Sequence, residues 1–256
     1  MASAMNWLVN LKAIAYPLRK ADEEKRNNPA SYYVYRRLSW PVTWVFLSLG
    51  VSPVQVTLVA LALTLAGFVM LAAGHYVQGA VCLNLAYVLD QVDGNIARAT
   101  KKTSPQGAWL DSMVGFLYSS FTLVIVSLGI WINSETKPLS SIFLPASVHP
   151  LPDTVLIWGL LGTLAITVRK ASVSLAQGAP KSGGAAGEHF SAQGGLFVIP
   201  KMLNSFSVLL LLVAALSRVL TEYVIIYSAY QLVLMCFVCL LTFRRLARSN
   251  SERKGL

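Results

Sequence analysis

The sequence predicts an all-α polytopic membrane protein, with six transmembrane helices preceded by an amphipathic helix in the membrane interface. Three observations carry that reading. Of 256 residues, 55% are hydrophobic and 12% charged, whereas a soluble domain has about 25% charged residues. Residues 53–73 and 223–243 carry no charge, and each run can cross a hydrocarbon core of about 30 Å as a helix. A soluble protein with a large apolar core does not account for runs of that length. The basic residues also segregate to one side of the predicted spans.

The elements follow in order. Residues 1–50 read as a cytoplasmic and interfacial N-terminal segment. Its first stretch, around Trp7, is too mixed in polarity for the apolar region of a signal peptide. Within 29–50, aromatics and arginines (Tyr32, Tyr33, Tyr35, Arg36, Arg37, Trp40, Trp44) interleave with a short apolar run. That mixture suits a helix lying in the interface, with Arg36 and Arg37 against lipid headgroups. A membrane domain is expected over 51–246, with spans at 53–74, 76–98, 107–132, 153–169, 203–220 and 223–243. The fourth and fifth have uncharged cores barely long enough to cross. Residues 178–200 are rich in Gly, Ala and Ser and read as a loop, with Glu188 and His189 as linker residues. A basic cytoplasmic tail, 247–256, ends the chain.

Charge orients this arrangement. With both termini in the cytoplasm, all but Lys137 and Arg218 of the 21 lysines and arginines fall on the inner side. The net charge of +10 then describes a basic rim facing anionic lipid and anionic substrate, and no nucleic-acid partner is needed. Cys82, Cys236 and Cys239 lie in apolar stretches and read as small buried hydrophobes; His75, His149 and His189 have no metal-binding spacing.

The chemistry concentrates between residues 90 and 111. Three of only 11 acidic residues, Asp90, Asp93 and Asp111, stand here at the ends of two apolar stretches. Ionisable groups at such depth are costly and functional by default. Asp90 and Asp93 share a helix face, which Gly94 and Ala97 continue with almost no side chain. Asp111 begins the next span, and the 98–106 connection holds both helix ends at one interface. Converging carboxylates repel unless a cation neutralises them. Hard oxygen donors favour one or two Mg²⁺ or Mn²⁺ ions, with Ca²⁺ as an alternative. Gly94, Ala97 and Gly107 either let a bulky ligand approach the backbone or let helices pack closely. Arg98 is a phosphate partner or a positive-inside charge.

These residues resemble the signature of the CDP-alcohol phosphotransferases, D-x2-D-G-x2-A-R-x8-G-x3-D-x3-D. Asp90, Asp93, Gly94, Ala97, Arg98, Gly107 and Asp111 match it at the required spacing. Upstream, residues 50–57 resemble the family's "T-P-N-x-V-T" stretch, with Ser52 and Val54 as departures. The resemblance implies a CDP-linked lipid donor and a two-metal site at the cytoplasmic face. It also implies attack by an alcohol at phosphorus, release of CMP, and a homodimer. Asp90, Asp93 and Asp111 are then the metal ligands, and Asp111 and Arg98 the candidate catalytic residues. Gly94, Ala97, Arg98, Gly107 and Arg169 are candidate substrate contacts, with Arg169 and Lys170 at an acceptor phosphate. The phrasing around the motif looks closest to members using inositol phosphate or related polar alcohols.

The last signature position departs: Gly115 stands where the family has Asp, and residues 112–120 contain no acid. Three carboxylates balance two divalent ions less completely than four, so a second ion depends more on substrate or is lost. Loss of a general base costs about 10²–10⁴-fold in rate. Three readings follow. The chain transfers a phospho-alcohol group using a substrate phosphate, a cation-bound hydroxide, Tyr118 or Ser112 as proton acceptor. Alternatively it uses its grip on diphosphate for other chemistry, such as prenyl diphosphate ionisation, or it is a non-catalytic CDP-lipid-binding protein. A UbiA-like prenyltransferase fold is disfavoured, because no acid pair follows Asp111; a transporter lacks the expected inverted repeat.

Overall fold

Local chemistry sets the helix boundaries. The computed structural model describes residues 25, 28–134, 151–178 and 206–254. Among them there are seven α-helices and no strand. Helix α1 (Arg36–Ser48) continues a π-helical turn, Ser31–Tyr35. It is followed by α2 (Pro53–Ala72), α3 (Tyr76–Thr100) and α4 (Pro105–Ile132). Then come α5 (Pro152–Gly178), α6 (Ser207–Leu216) and α7 (Leu220–Lys254).

Helix α1 ends at Gly50, whose φ of 69° a side chain would resist. Backbone bonds from Gly50 N to Leu47 O (3.1 Å) and from Val51 N to Phe46 O (3.0 Å) close its last turn. Ser52 then caps α2: its Oγ accepts from Gln55 N, and Gln55 Oε1 accepts from Ser52 N at 2.9 Å, with Pro53 in the first turn. The same closing device recurs at Gly74, with His75 N bonded to Met70 O at 2.8 Å. The stretch 50–57 is thus a helix stop followed at once by a helix start.

Among the described residues, four helical segments are long and apolar enough to cross a membrane: α2, α4, Pro152–Ser174 of α5 and Leu220–Arg244 of α7. Helix α3 has the length of a span, but seven polar or charged side chains between Gln78 and Arg98 lower its hydropathy. Helix α6 covers ten residues, short of a span by itself. The expected fourth span runs beyond 169, to Gly178. Residues 203–205 of the fifth expected span lie outside the described residues. So do residues 1–24, Lys137, Lys181, Glu188, His189 and Lys201.

The chain divides into two compact units, within Met1–Tyr118 plus Gly195–Arg218 and within Ser119–Gly194 plus Val219–Leu256. In the first, α3 is central. It crosses α2 where two glycines meet: a Cβ on Gly79 would stand 2.9 Å from Gly67 O and 2.6 Å from Leu71 Cγ. Val56 and Ala60 of α2 join Val88, Leu89, Val92 and Ile96 of α3 in one buried cluster with Tyr35 and Val208. Another face of α3 carries a polar seam to the N-terminal helix. Asn84 accepts from Tyr35 OH (2.7 Å), Tyr87 OH from Asn28 (3.2 Å), Gln91 from Ser31 (3.4 Å), and Asn95 from Arg36 (2.8 Å). The spacing of these α3 residues is that of one helical stripe.

In the second unit α5 packs along α7. Gly162 makes this close, since a Cβ there would overlap Ser228 of α7, while a Cβ on Gly159 would overlap Ser127 of α4. Trp131 Nε1 donates to Asp153 Oδ1 at 2.7 Å near the start of α5. Toward its other end, Arg169 donates to Gln231 Oε1 at 3.4 Å and Lys170 to Ser119 Oγ. The three cysteines are free thiols.

Candidate active site

Helix α3 delivers the acids and α2 receives one of them. Asp93, 6% exposed, accepts a 2.6 Å hydrogen bond at Oδ2 from Thr57 Oγ1. That bond ties the motif helix to the first turns of α2, just past the capping box. Asp90, one turn earlier, is partly buried and accepts from Gln91 Nε2 at 3.0 Å. Asp111 comes from α4 and is exposed. Its carboxyl acts electrostatically on both Asp90 and Asp93, and the Asp90 and Asp111 carboxyls are in hydrogen-bond contact. Like charges so placed repel, and a bound cation would relieve that repulsion.

Arginines face the acids: Arg36 acts on Asp90 and Arg98 on Asp93. The Arg98 guanidinium lies over Gly94. A Cβ on Gly94 would be 3.1 Å from Arg98 Nη1, a tight contact that glycine avoids. Arg36 departs from the expectation of headgroup contact. It is 4% exposed and bonded to Asn95 inside the unit, while Arg37 is exposed. The reason is the polar seam, which gives Arg36 a fixed neutral acceptor that an interfacial position lacks.

Asp93, Gly94 and Ala97 of α3 open onto a cleft of about 180 Å³. Pro53, Val54 and Thr57 form another wall. Lys102 to Ser104, Gly107, Ala108 and Asp111 close the remainder. The structure therefore brings Asp93, Gly94, Ala97, Gly107 and Asp111 to one cavity, and Asp90 and Arg98 are not among its lining residues. Arg169 is described in the second unit, bonded to Gln231. A Cβ on Gly115 would meet nothing within 4 Å, so helix packing does not require a glycine there. Ser112 Oγ donates to Ala108 O at 2.8 Å, and the Tyr118 hydroxyl is buried.

Among the described residues no three His, Cys, Asp or Glu side chains are already drawn into a cation cage. The donor set nevertheless fits a hard divalent ion: carboxylate oxygens only, crowded enough to repel, beside a cleft with room for phosphate oxygens. Sequence reasoning missed Thr57, Asn95 and the role of Arg36. Thr57 closes the stretch that resembles "T-P-N-x-V-T", which was the available signal. Asn95 fills a variable position of the signature and had none.

The model of the CDP-alcohol phosphatidyltransferase family matches residues 50–244, and the chain belongs to that family. It is similar to the bifunctional IPC transferase and DIPP synthase of Rubrobacter xylanophilus, 38% identical over 86 residues. It is also similar to a phosphatidylinositol phosphate synthase of Streptomyces avermitilis, 35% identical over 95 residues, and to an archaetidylinositol phosphate synthase of Pyrococcus horikoshii, 33% over 82. These matches cover 34%, 35% and 32% of this chain and only 20%, 39% and 44% of the respective relatives.

Proposed function

We propose that this chain is a membrane-embedded, divalent-cation-dependent transferase that moves a phospho-alcohol group from a CDP-linked lipid to a polar alcohol. The acceptor hydroxyl oxygen bonds to the phosphorus that carries the donor alcohol. The bond from that phosphorus to the CMP phosphate breaks, and CMP leaves. The observation that carries the reading is that five of the seven matched signature residues, Asp93, Gly94, Ala97, Gly107 and Asp111, line one cleft, with Asp93 held by Thr57. Asp90, Asp93 and Asp111 would hold Mg²⁺ or Mn²⁺, one or two ions; when bound, the ion would neutralise the donor's diphosphate. Arg98, Gly94, Ala97 and Gly107 would receive the donor, and Arg169 an acceptor phosphate.

The site is altered at Gly115. A neutral hydroxyl such as Ser112 is a feeble base and the Tyr118 hydroxyl is buried, so the acceptor's own phosphate is the base we favour. Two of the relatives are named for inositol phosphate products, which makes inositol phosphate the first acceptor to try. We place the chain in the membrane with six spans over 51–246, an interfacial N-terminal helix within 1–50, a basic tail over 247–256, both termini cytoplasmic, and a homodimeric assembly. The test is a donor–acceptor screen of purified protein that follows CMP and inorganic diphosphate separately, with Asp93→Ala as the blank. Release of CMP only with a CDP-linked donor supports the reading. Diphosphate release from an isoprenoid substrate, or binding of CDP-lipid with no turnover, overturns it.

A further inference from the structure

Asn95 is fully buried in α3 between two arginines. Its Oδ1 accepts from Arg36 Nη1 at 2.8 Å and from Arg98 Nη2 at 3.0 Å. Its Nδ2 donates to Ser39 Oγ at 3.2 Å and to Thr43 Oγ1 at 3.1 Å. Both hydroxyls spend their own protons on backbone carbonyls, Ser39 on Arg36 O (2.9 Å) and Thr43 on Ser39 O (2.7 Å). They can therefore only accept from Asn95, and the amide can sit one way round: oxygen toward the guanidiniums, nitrogen toward the hydroxyls. Every hydrogen-bonding position of the amide is used.

We propose that Asn95 is a positioning residue that holds the Arg98 guanidinium over Gly94 at the cleft, and that Arg36, Ser39 and Thr43 of α1 complete this clamp. These three residues precede the family-matched region, which begins at 50. The N-terminal helix is thus a working part of the site as well as a membrane element. The choice of asparagine has a physical reason. A neutral amide aligns two cations without neutralising them, so both keep their charge for the acids and for an anionic diphosphate. An aspartate would cancel part of that charge and set its second oxygen against the Ser39 and Thr43 hydroxyls, whose protons are already given to backbone carbonyls.

This inference rests on the proposed donor site, and the test separates the two. The full chain in lipid nanodiscs is titrated with CDP in the presence of Mn²⁺, and thermal unfolding is followed in parallel. Wild type binds CDP. Asn95→Asp and Asn95→Ala each weaken binding by about ten-fold, the scale of one hydrogen bond to a charged group. Asn95→Asp loses both donors to Ser39 and Thr43 and lowers the thermal midpoint, so Ser39→Ala, which removes one acceptor of the amide nitrogen, supplies the folded variant and weakens CDP binding in the same direction. On the background of Arg98→Ala, Asn95→Asp adds well under ten-fold, because most of its effect passes through Arg98 and only the share of Arg36 remains. No CDP binding by wild type overturns the donor site and the clamp together. Wild-type binding with equal binding by Asn95→Asp, or additive losses in the double variant, overturns the clamp alone.

Discussion

At the residue scale, the site is a set of charges whose partners are fixed by short hydrogen bonds. Thr57 is the simplest case. Its 2.6 Å bond is given to a nearly buried carboxylate. Thr57→Val preserves shape and removes the donor, so it costs about 1–3 kcal/mol of stability and weakens Mn²⁺ binding. Thermal unfolding with and without Mn²⁺ measures both; an unchanged midpoint and affinity would mean that Asp93 is held by other means. Gly115 runs the other way. The space around it is open, so Gly115→Asp meets no steric barrier, and aspartate is no worse than glycine in a helix. Restoring the family acid is expected to raise the transfer rate, up to the 10²–10⁴-fold span of general-base catalysis (an order of magnitude either way, ~10³). A fall in rate would identify a site remodelled around glycine. The acceptor offers a third check: a phosphorylated inositol reacts and free inositol does not, if the acceptor's phosphate takes the proton. Equal rates with both would exclude that role.

At the element scale, the junction between α2 and α3 governs the geometry. Gly67 and Gly79 let the two backbones approach, and the Thr57–Asp93 bond pins the same helices nearer the cleft. Gly79→Ala forces a methyl against a backbone oxygen and is expected to cost about 1–3 kcal/mol. Gly115→Ala, in open space, costs nothing comparable. Unfolding midpoints of the two variants decide the matter, and equal losses would contradict the assigned packing.

Legibility of the fold and site divides along the same lines. The shared face of Asp90, Asp93, Gly94 and Ala97 was readable because helical periodicity fixes it within one turn or two. The stop and start at Gly50 and Ser52 were readable as a motif, though their capping role emerges only from the backbone. Arg36 was misread because its partner stands 59 positions away on α3, and nothing local distinguishes a buried arginine from one at a headgroup. The Thr57–Asp93 pair, 36 positions apart, was hidden for the same reason. Helix α3 shows why counting apolar runs stops at four spans: its length suits a membrane, but its site and seam residues remove the hydropathy by which a span is recognised.

At the scale of the whole molecule, charge asymmetry and the apolar helices make a topological prediction. Six spans place residues 12 and 253 on the cytoplasmic side and residue 137 on the other. Single cysteines at these positions, in a chain freed of Cys82, Cys236 and Cys239, are labelled accordingly by an impermeant thiol reagent in sealed vesicles. Opposite labelling of the two ends would require an odd number of spans. The central claim is more local: the acids at 90, 93 and 111 share a divalent ion with the diphosphate of a CDP-linked ligand. The most direct measurement is ³¹P relaxation of CDP on the nanodisc-embedded protein with bound Mn²⁺. The account predicts strong paramagnetic broadening of both phosphorus resonances in wild type and its loss in Asp93→Ala. Broadening that persists undiminished in Asp93→Ala, or sharp CDP resonances on a wild-type protein saturated with Mn²⁺, would contradict it.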